Sequence, residues 1–332
     1  MQKIRIIDST LRDGQHALKH QLTKDNITEY CKEAELVGID TVMVGHGNGL
    51  SASSYQVGFS LLTDKEMLIT AKKQLKKTKL GAFLIPGFGT IEDMKMAIDC
   101  GVKVIQVASH CTEANITRQH IEYARKRKLE VIGVLMMSHR LDAEQLFKQA
   151  KLMQSYGVNG VMLMDSAGAS LENDIALKCV QISTNLINVG YHAHNNLGLA
   201  IAGSIVAIQS GASFIDATIR GLGAGAGNCQ LEVLVAVLHK HGYKTGLDVK
   251  KLCDLSEVVA KIMKEHNHQQ VIDKASLASG IAGIFSGFKN HALKASKEYG
   301  VDVWDIFMEL GKRNAVAGQE DLIVEIAKEL QR

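Results

Sequence analysis

The feature that most restricts the fold is a regular alternation. Short apolar runs rich in Val and Ile occur at residues 41–44, 81–85, 104–107, 131–135, 161–164, 189–194 and 214–218, with longer stretches of helical period between them. The opening run through Ile4, Ile6 and Ile7 brings the count to eight. Near-continuous apolar runs mark strands covered on both faces, and strands alternating with helices pair in parallel. Eight such units predict an α/β fold, a (β/α)8 TIM barrel, over a doubly wound open sheet as the weaker alternative. Gly38, Gly101, Gly157 and Gly211 each follow a helical segment and precede an even-numbered strand, as a left-handed helix stop does.

The chain after the last strand reads differently. From about Asp254 the apolar positions have helical spacing, as in Val303, Ile306, Phe307 and Leu310, with no further strand-like run. Residues 1–253 are therefore expected to form the barrel, and 254–332 a C-terminal helical domain covering its mouth. With 46% apolar residues the chain can fill a large core. A formal charge of +3, spread evenly, and 5% aromatics argue against a nucleic-acid surface. No apolar stretch has the length of a membrane span or the form of a signal peptide, so a cytoplasmic protein is expected. Six cysteines without CxxC spacing fit reduced, mostly buried thiols.

A barrel carries its chemistry at the carboxyl ends of its strands, and the polar residues collect there. Arg12, Asp13 and His16 follow the first strand, His46 and Asn48 the second, Ser109 and His110 the fourth, and Ser138 and His139 the fifth. Asp165 and Ser166 follow the sixth, His192, His194, Asn195 and Asn196 the seventh, and Arg220 the eighth. For His46, His110 and His139 a hydrogen-bonding role at the rim is the expected one. Asp13 offers a hard oxygen, Arg12 a planar fork of donors, and His16 a base near neutrality. His192 and His194 alternate on a strand and share a face, so with Asp13 they form a candidate metal set. Oxygen and nitrogen ligands without thiolate suit Mn²⁺, Mg²⁺ or Co²⁺, with Zn²⁺ also in range. The glycine-rich run 221–227, ending at Asn228, follows the eighth strand and allows close backbone approach; its place in the chain does not fit a dinucleotide fingerprint.

Three stretches together, 8–14 (Asp-Ser-Thr-Leu-Arg-Asp-Gly), 192–196 (His-Ala-His-Asn-Asn) and 221–228, resemble the DRE-TIM metallolyase superfamily, and within it the 4-hydroxy-2-oxovalerate aldolases, the pyruvate aldolases of meta-cleavage pathways for aromatic hydrocarbons. The likeness extends through His16-Ala17, 46–50, 109–114, 135–139 and 318–321. It implies a class II aldolase that splits a 4-hydroxy-2-oxo acid into pyruvate and an aldehyde, with Asp13, His192 and His194 holding a divalent metal, Mn²⁺ foremost. It further implies that Arg12 stabilises the enolate oxygen, that His16 takes the C4 hydroxyl proton, and that Ser166 contacts the pyruvate carboxylate. The helical tail would contact an acylating aldehyde dehydrogenase, and the chain is expected to be oligomeric.

Two positions depart from the family pattern. Phe285 stands where the family has a tyrosine beside the C4 hydroxyl, and Asn195 where close relatives often have a third histidine. A phenyl ring keeps the wall of the substrate site and loses a hydrogen bond, so a change in C4 stereocontrol or in the choice of aldehyde is expected. Two other readings stay open at this point: a Claisen-type enzyme condensing an acyl-CoA with a 2-oxo acid, and a degenerate barrel serving as a partner-binding subunit. A hydroxymethylglutaryl-CoA type lyase is disfavoured, because the glycine run lacks that group's catalytic cysteine pattern and Cys229 reads as packing.

Overall fold

The computed structural model describes residues 3–185 and 188–331. Among these, eight parallel strands close into a barrel in chain order: β1 (Arg5–Leu11), β2 (Thr41–Val44), β3 (Lys79–Leu84), β4 (Val104–His110), β5 (Glu130–Met136), β6 (Gly160–Asp165), β7 (Val189–Ala193) and β8 (Phe214–Ala217). β8 pairs with β1 through Ile7 and Asp216, which closes the ring. One set of alternate side chains, including Ile7, Met43, Phe83, Met162 and Phe214, fills the interior, and the other set packs against the surrounding helices. Gly190 makes room for this filling: a Cβ there would lie 2.0 Å from the Phe214 ring.

The chain stops its helices as expected. Gly38 closes the helix Lys24–Val37 at φ 80°, and Gly101, Gly157 and Gly211 also have positive φ just ahead of β4, β6 and β8. Helix starts are equally defined by local chemistry. Thr23, Thr63, Thr90 and Asp142 each accept the N3 backbone N–H, with the N3 side chain reaching back, in capping boxes each worth about 1 kcal/mol. Such caps fix where the loops after β1, β2, β3 and β5 end.

The break expected at 253/254 falls inside the helix Val249–Glu265. Leu252, Leu255, Val259 and Ile262 on that helix belong to the barrel's own outer core, so the apolar stripe that made it read as tail serves the barrel. The helices from Lys274–Ala282 to Asp321–Leu330 instead gather around Ile284, Phe288, Ile306, Phe307 and Ile326 as a separate core. Polar contacts tie this unit to the mouth. Asn196 donates to Ser276 O and Ser279 Oγ and accepts from Ser286 Oγ; the His139 ring donates to Gly283 O; and Arg140 donates to the carbonyls of Asn314 and Ala315. No helix among the described residues is long and apolar enough to cross a membrane. Five of the six cysteines are buried and Cys253 is exposed, all of them free thiols.

Candidate active site at the barrel mouth

β1 ends at Leu11, and the next two residues turn into the mouth wholly buried. Arg12 Nη1 donates to Asp13 Oδ2 at 2.6 Å, and the guanidinium lies 4.6 Å from the centroid of the Phe83 ring. Its Nε and Nη2 are buried without a partner. A buried guanidinium with two idle donor nitrogens is costly unless something anionic meets them.

Asp13, just past β1, faces His192 and His194 across one intervening strand of the ring. One ligand atom from each of the three lies within 4.8 Å of the others. β7 supplies His192 and the residue after its end supplies His194, so strand alternation aims both rings inward, their centroids 5.1 Å apart. Hydrogen bonds select the tautomers. His192 Nδ1 donates to Asp216 Oδ1 at 2.9 Å, and Asp216 Oδ2 accepts from Ser9 Oγ and Gln106 Nε2. His194 Nδ1 donates to Ala224 O at 3.4 Å. Both Nε2 atoms are thus left as acceptors, and that of His192 is buried with no partner at all.

The electrostatics suit a cation. Burial raises Asp13, but Arg12 first and then the neighbouring histidines outweigh it and hold the carboxyl well below its usual range. Burial depresses His194 to about 4, against an opposing pull from Asp13, so its ring is neutral at pH 7. Asp13 Oδ1 accepts from Ala224 N and Asn228 Nδ2, leaving Oδ2 toward the histidines. An ionised carboxylate and two buried imidazoles, one of them with an orphaned Nε2, form a donor set that fits a divalent cation. Asn228, at the end of the glycine run, supports Asp13 through its Nδ2.

His16 follows in the short helix Gly14–Ala17, half-buried, with burial lowering its ring to about 4. It sits against Gly47, where a Cβ would fall 2.4 Å from its Nε2. Behind it, His20 and His46 stack at 3.7 Å. His46 accepts from Asn48 N and donates to Gly58 O, the structural role expected of it. His110 pairs its Nδ1 with Thr112 Oγ1.

Ser166 is buried just past β6, its hydroxyl accepting the Met137 N–H and its carbonyl accepting the Ser286 N–H. Phe285 therefore hangs next to a strap docked on Ser166. Its ring packs edge-on against Phe288 and lines a cavity of 610 Å³ with Asn48, Ile85, Ser109, Met136 and Val316. Asn195 caps the helix Ala200–Gln209 by accepting the Ala200 N–H. Arg220, counted among the rim residues, turns outward instead: its backbone is left-handed at φ 57° and its Nη1 donates to Ser256 on the outer helix. The sequence reading missed Asp216 and Gln106. Asp216 is an acid within an otherwise apolar strand run, and that was the available signal.

Comparison with known proteins assigns the chain to a family. A family model described as HMGL-like matches residues 3–259, and one described as a DmpG-like communication domain matches 270–332. The carboxyl transferase domain of Rhizobium etli pyruvate carboxylase, solved with pyruvate and biocytin, superposes with a TM-score of 0.86 over 99% of this chain and 60% of that one; at 12% identity this likeness concerns the fold. The 4-hydroxy-2-oxovalerate aldolase of Carboxydothermus hydrogenoformans is 49% identical over 332 residues, covering 99% of this chain and 98% of its own. That of Spirochaeta aurantia is 49% identical over 328 residues, covering 98% and 96%. Matched from end to end at this identity, the chain belongs to the 4-hydroxy-2-oxovalerate aldolase family of HMGL-like barrels.

Proposed function

We propose that this chain is a divalent-metal-dependent carbon–carbon lyase that cleaves a 4-hydroxy-2-oxo acid such as 4-hydroxy-2-oxopentanoate to pyruvate and an aldehyde, and runs the aldol addition in reverse. The observation that carries this is the convergence of Asp13, His192 and His194 beside a buried Arg12 with two unused donors. Those three side chains hold the cation, with Mn²⁺ the best match and Mg²⁺ or Co²⁺ next. When bound, it supplies Lewis-acid polarisation of a 2-oxo acid.

The remaining work falls to the chain's own groups. His16, neutral because burial holds it near 4, accepts the proton of the C4 hydroxyl. The C3–C4 bond then breaks, its electron pair passing to the pyruvate half, and Arg12 Nε and Nη2 meet the negative oxygen that develops there. Ser166 Oγ already accepts a backbone N–H, so its own hydroxyl proton is free to donate to the substrate carboxylate. Phe285 forms an apolar wall of the cavity that receives the aldehyde half. Cys229 takes no part: it is buried and its thiol is pushed up to about 12 by burial, unlike a catalytic cysteine.

The helical unit after Glu265, matched by the communication-domain model, docks an acylating aldehyde dehydrogenase that consumes the aldehyde. In this reading the chain divides into a catalytic barrel and a helical docking unit, and assembles as an oligomer. The test is pyruvate release from racemic 4-hydroxy-2-oxopentanoate with added Mn²⁺, before and after chelation. Metal-dependent pyruvate that drops about 10²–10⁴-fold in His16→Ala, with Mn²⁺ binding intact, is the expected result. No pyruvate from folded, metal-loaded protein, across aldehyde lengths, refutes it.

A further inference from the structure

One residue of the glycine run touches two of the three candidate metal ligands. The N–H of Ala224 donates to Asp13 Oδ1 at 3.1 Å, and its carbonyl accepts from His194 Nδ1 at 3.4 Å. Ala224 lies between two glycines, so the local backbone has little intrinsic preference for the orientation these contacts need. Gly225 has φ 64°. Something outside the run must hold it.

That hold comes from the stretch joining the barrel to the helical unit. Gln270 lies between the helices Val249–Glu265 and Lys274–Ala282. Its Oε1 accepts the Gly223 N–H at 3.2 Å, and its Nε2 donates to Gly225 O at 3.2 Å. One side chain thus brackets Ala224 from both sides. The amide is itself oriented, because His268 Nε2 lies 3.1 Å from the same Oε1. A Cβ at Gly227 would come within 2.8 Å of the Gln270 side chain, so the contact is close. Lys289 also donates to Gly225 O, whereas among the described residues the Gly223 N–H has Gln270 as its acceptor and no other.

We propose that Gln270 is a positioning residue for the metal ligands Asp13 and His194, acting through the peptide groups of Ala224. A linker tether with a purely structural role has no need to spend both amide functions on the two glycines flanking that one residue. The inference rests on the reading that Asp13, His192 and His194 hold a cation. It adds that the geometry of two of them is set from the chain between barrel and helical unit.

The experiment titrates the metal-free full chain with Mn²⁺, following the EPR signal of the free ion, and records the visible spectrum of the Co²⁺-loaded chain. Asp13→Asn, which removes a ligand, and Gln269→Leu, its exposed neighbour, serve as controls. Gln270→Leu is expected to raise the Mn²⁺ Kd by about tenfold, the lower end of what losing a ligand's hydrogen-bonded support costs, and to shift the Co²⁺ bands. Gln270→Glu keeps the acceptor for Gly223 and should recover affinity to within about threefold of wild type. Gln270→Ala takes the place of the leucine variant if that one does not fold.

Unchanged affinity and Co²⁺ spectrum in the leucine or alanine variant overturn the proposal, as does equal weakening by Gln269→Leu. A wild-type chain that binds no Mn²⁺ overturns it as well. The two readings fail separately: pyruvate from wild type with undisturbed metal binding in Gln270→Leu defeats only this inference, and weakened binding in Gln270→Leu without pyruvate from wild type defeats only the aldolase.

Discussion

The Nδ1 atom of His192 donates to Oδ1 of Asp216 across 2.9 Å, and neither side chain has any contact with solvent. Burial alone would raise the Asp216 carboxyl, but His192 foremost, with Arg12 and Gln106, brings it below its usual range, so it stays ionised. The pair fixes the ring so that Nε2 faces Asp13. Asp216→Asn is expected to lower Mn²⁺ affinity about 10- to 100-fold, since a histidine of the proposed metal set loses its carboxylate partner. Metal titration of the purified variant checks this; wild-type affinity would show that the pair only packs.

Gly47 leaves the space that His16 occupies. In Gly47→Ala the new Cβ would lie 2.4 Å from His16 Nε2, well inside contact distance, so the ring must move. A displacement of about 1 Å of a reacting group costs on the order of 10²-fold in rate. The expected outcome is a loss of that size in kcat with Mn²⁺ affinity kept, measured by pyruvate release and metal titration on the same preparation.

The histidines at the mouth make acid stability a readout of the site. In the metal-free chain burial holds His16, His46 and His194 near 4 and His20 near 2, all neutral when folded, whereas an unfolded histidine titrates near 6.5. Between those values the unfolded chain binds protons that the folded chain does not. The stability is therefore complete above pH 6.5 and is lost as pH falls toward 4. Asp8, pushed up to about 6 by burial, and Asp64 and Glu232, also raised by burial, act in the opposite sense, while His110, His120 and His268, lowered by burial, act with the four. The melting temperature of the metal-free chain should fall by roughly 5 °C or more from pH 7.5 to pH 5. A flat or rising profile contradicts the assignment.

Phe285 offers a wall without a donor. Wild type is expected to consume both C4 enantiomers of 4-hydroxy-2-oxopentanoate at similar kcat/KM, so a racemic sample runs to completion. Phe285→Tyr adds one hydroxyl and should favour one enantiomer by about tenfold, the worth of a single hydrogen bond. Chiral analysis of residual substrate at half conversion decides it, and strict wild-type selectivity would place stereocontrol elsewhere.

Much of this was legible without coordinates, for reasons that differ by element. The eight strands could be read because a strand buried on both faces must be apolar throughout, and the helix stops because a left-handed turn favours glycine. Asp13, His192 and His194 could be named because alternation along a strand aims His192 and His194 to one side, and because strand ends of a barrel share one mouth. The tail was misjudged at 253/254, since helical period alone does not say against which core the helix Val249–Glu265 packs.

What only the tertiary structure decided are relationships between residues far apart in the chain. Asp216 became the partner of His192 because β7 and β8 pair in that register. The outward turn of Arg220 followed from a left-handed backbone and the position of Ser256. The bracket of Gln270 around Ala224 depends on where the joining stretch crosses the mouth. Local patterning determines which residues are strand, helix stop and strand-end polar group, because those preferences act within a few residues. Hydrogen bonds between distant segments are set by how the barrel closes, which no local pattern encodes.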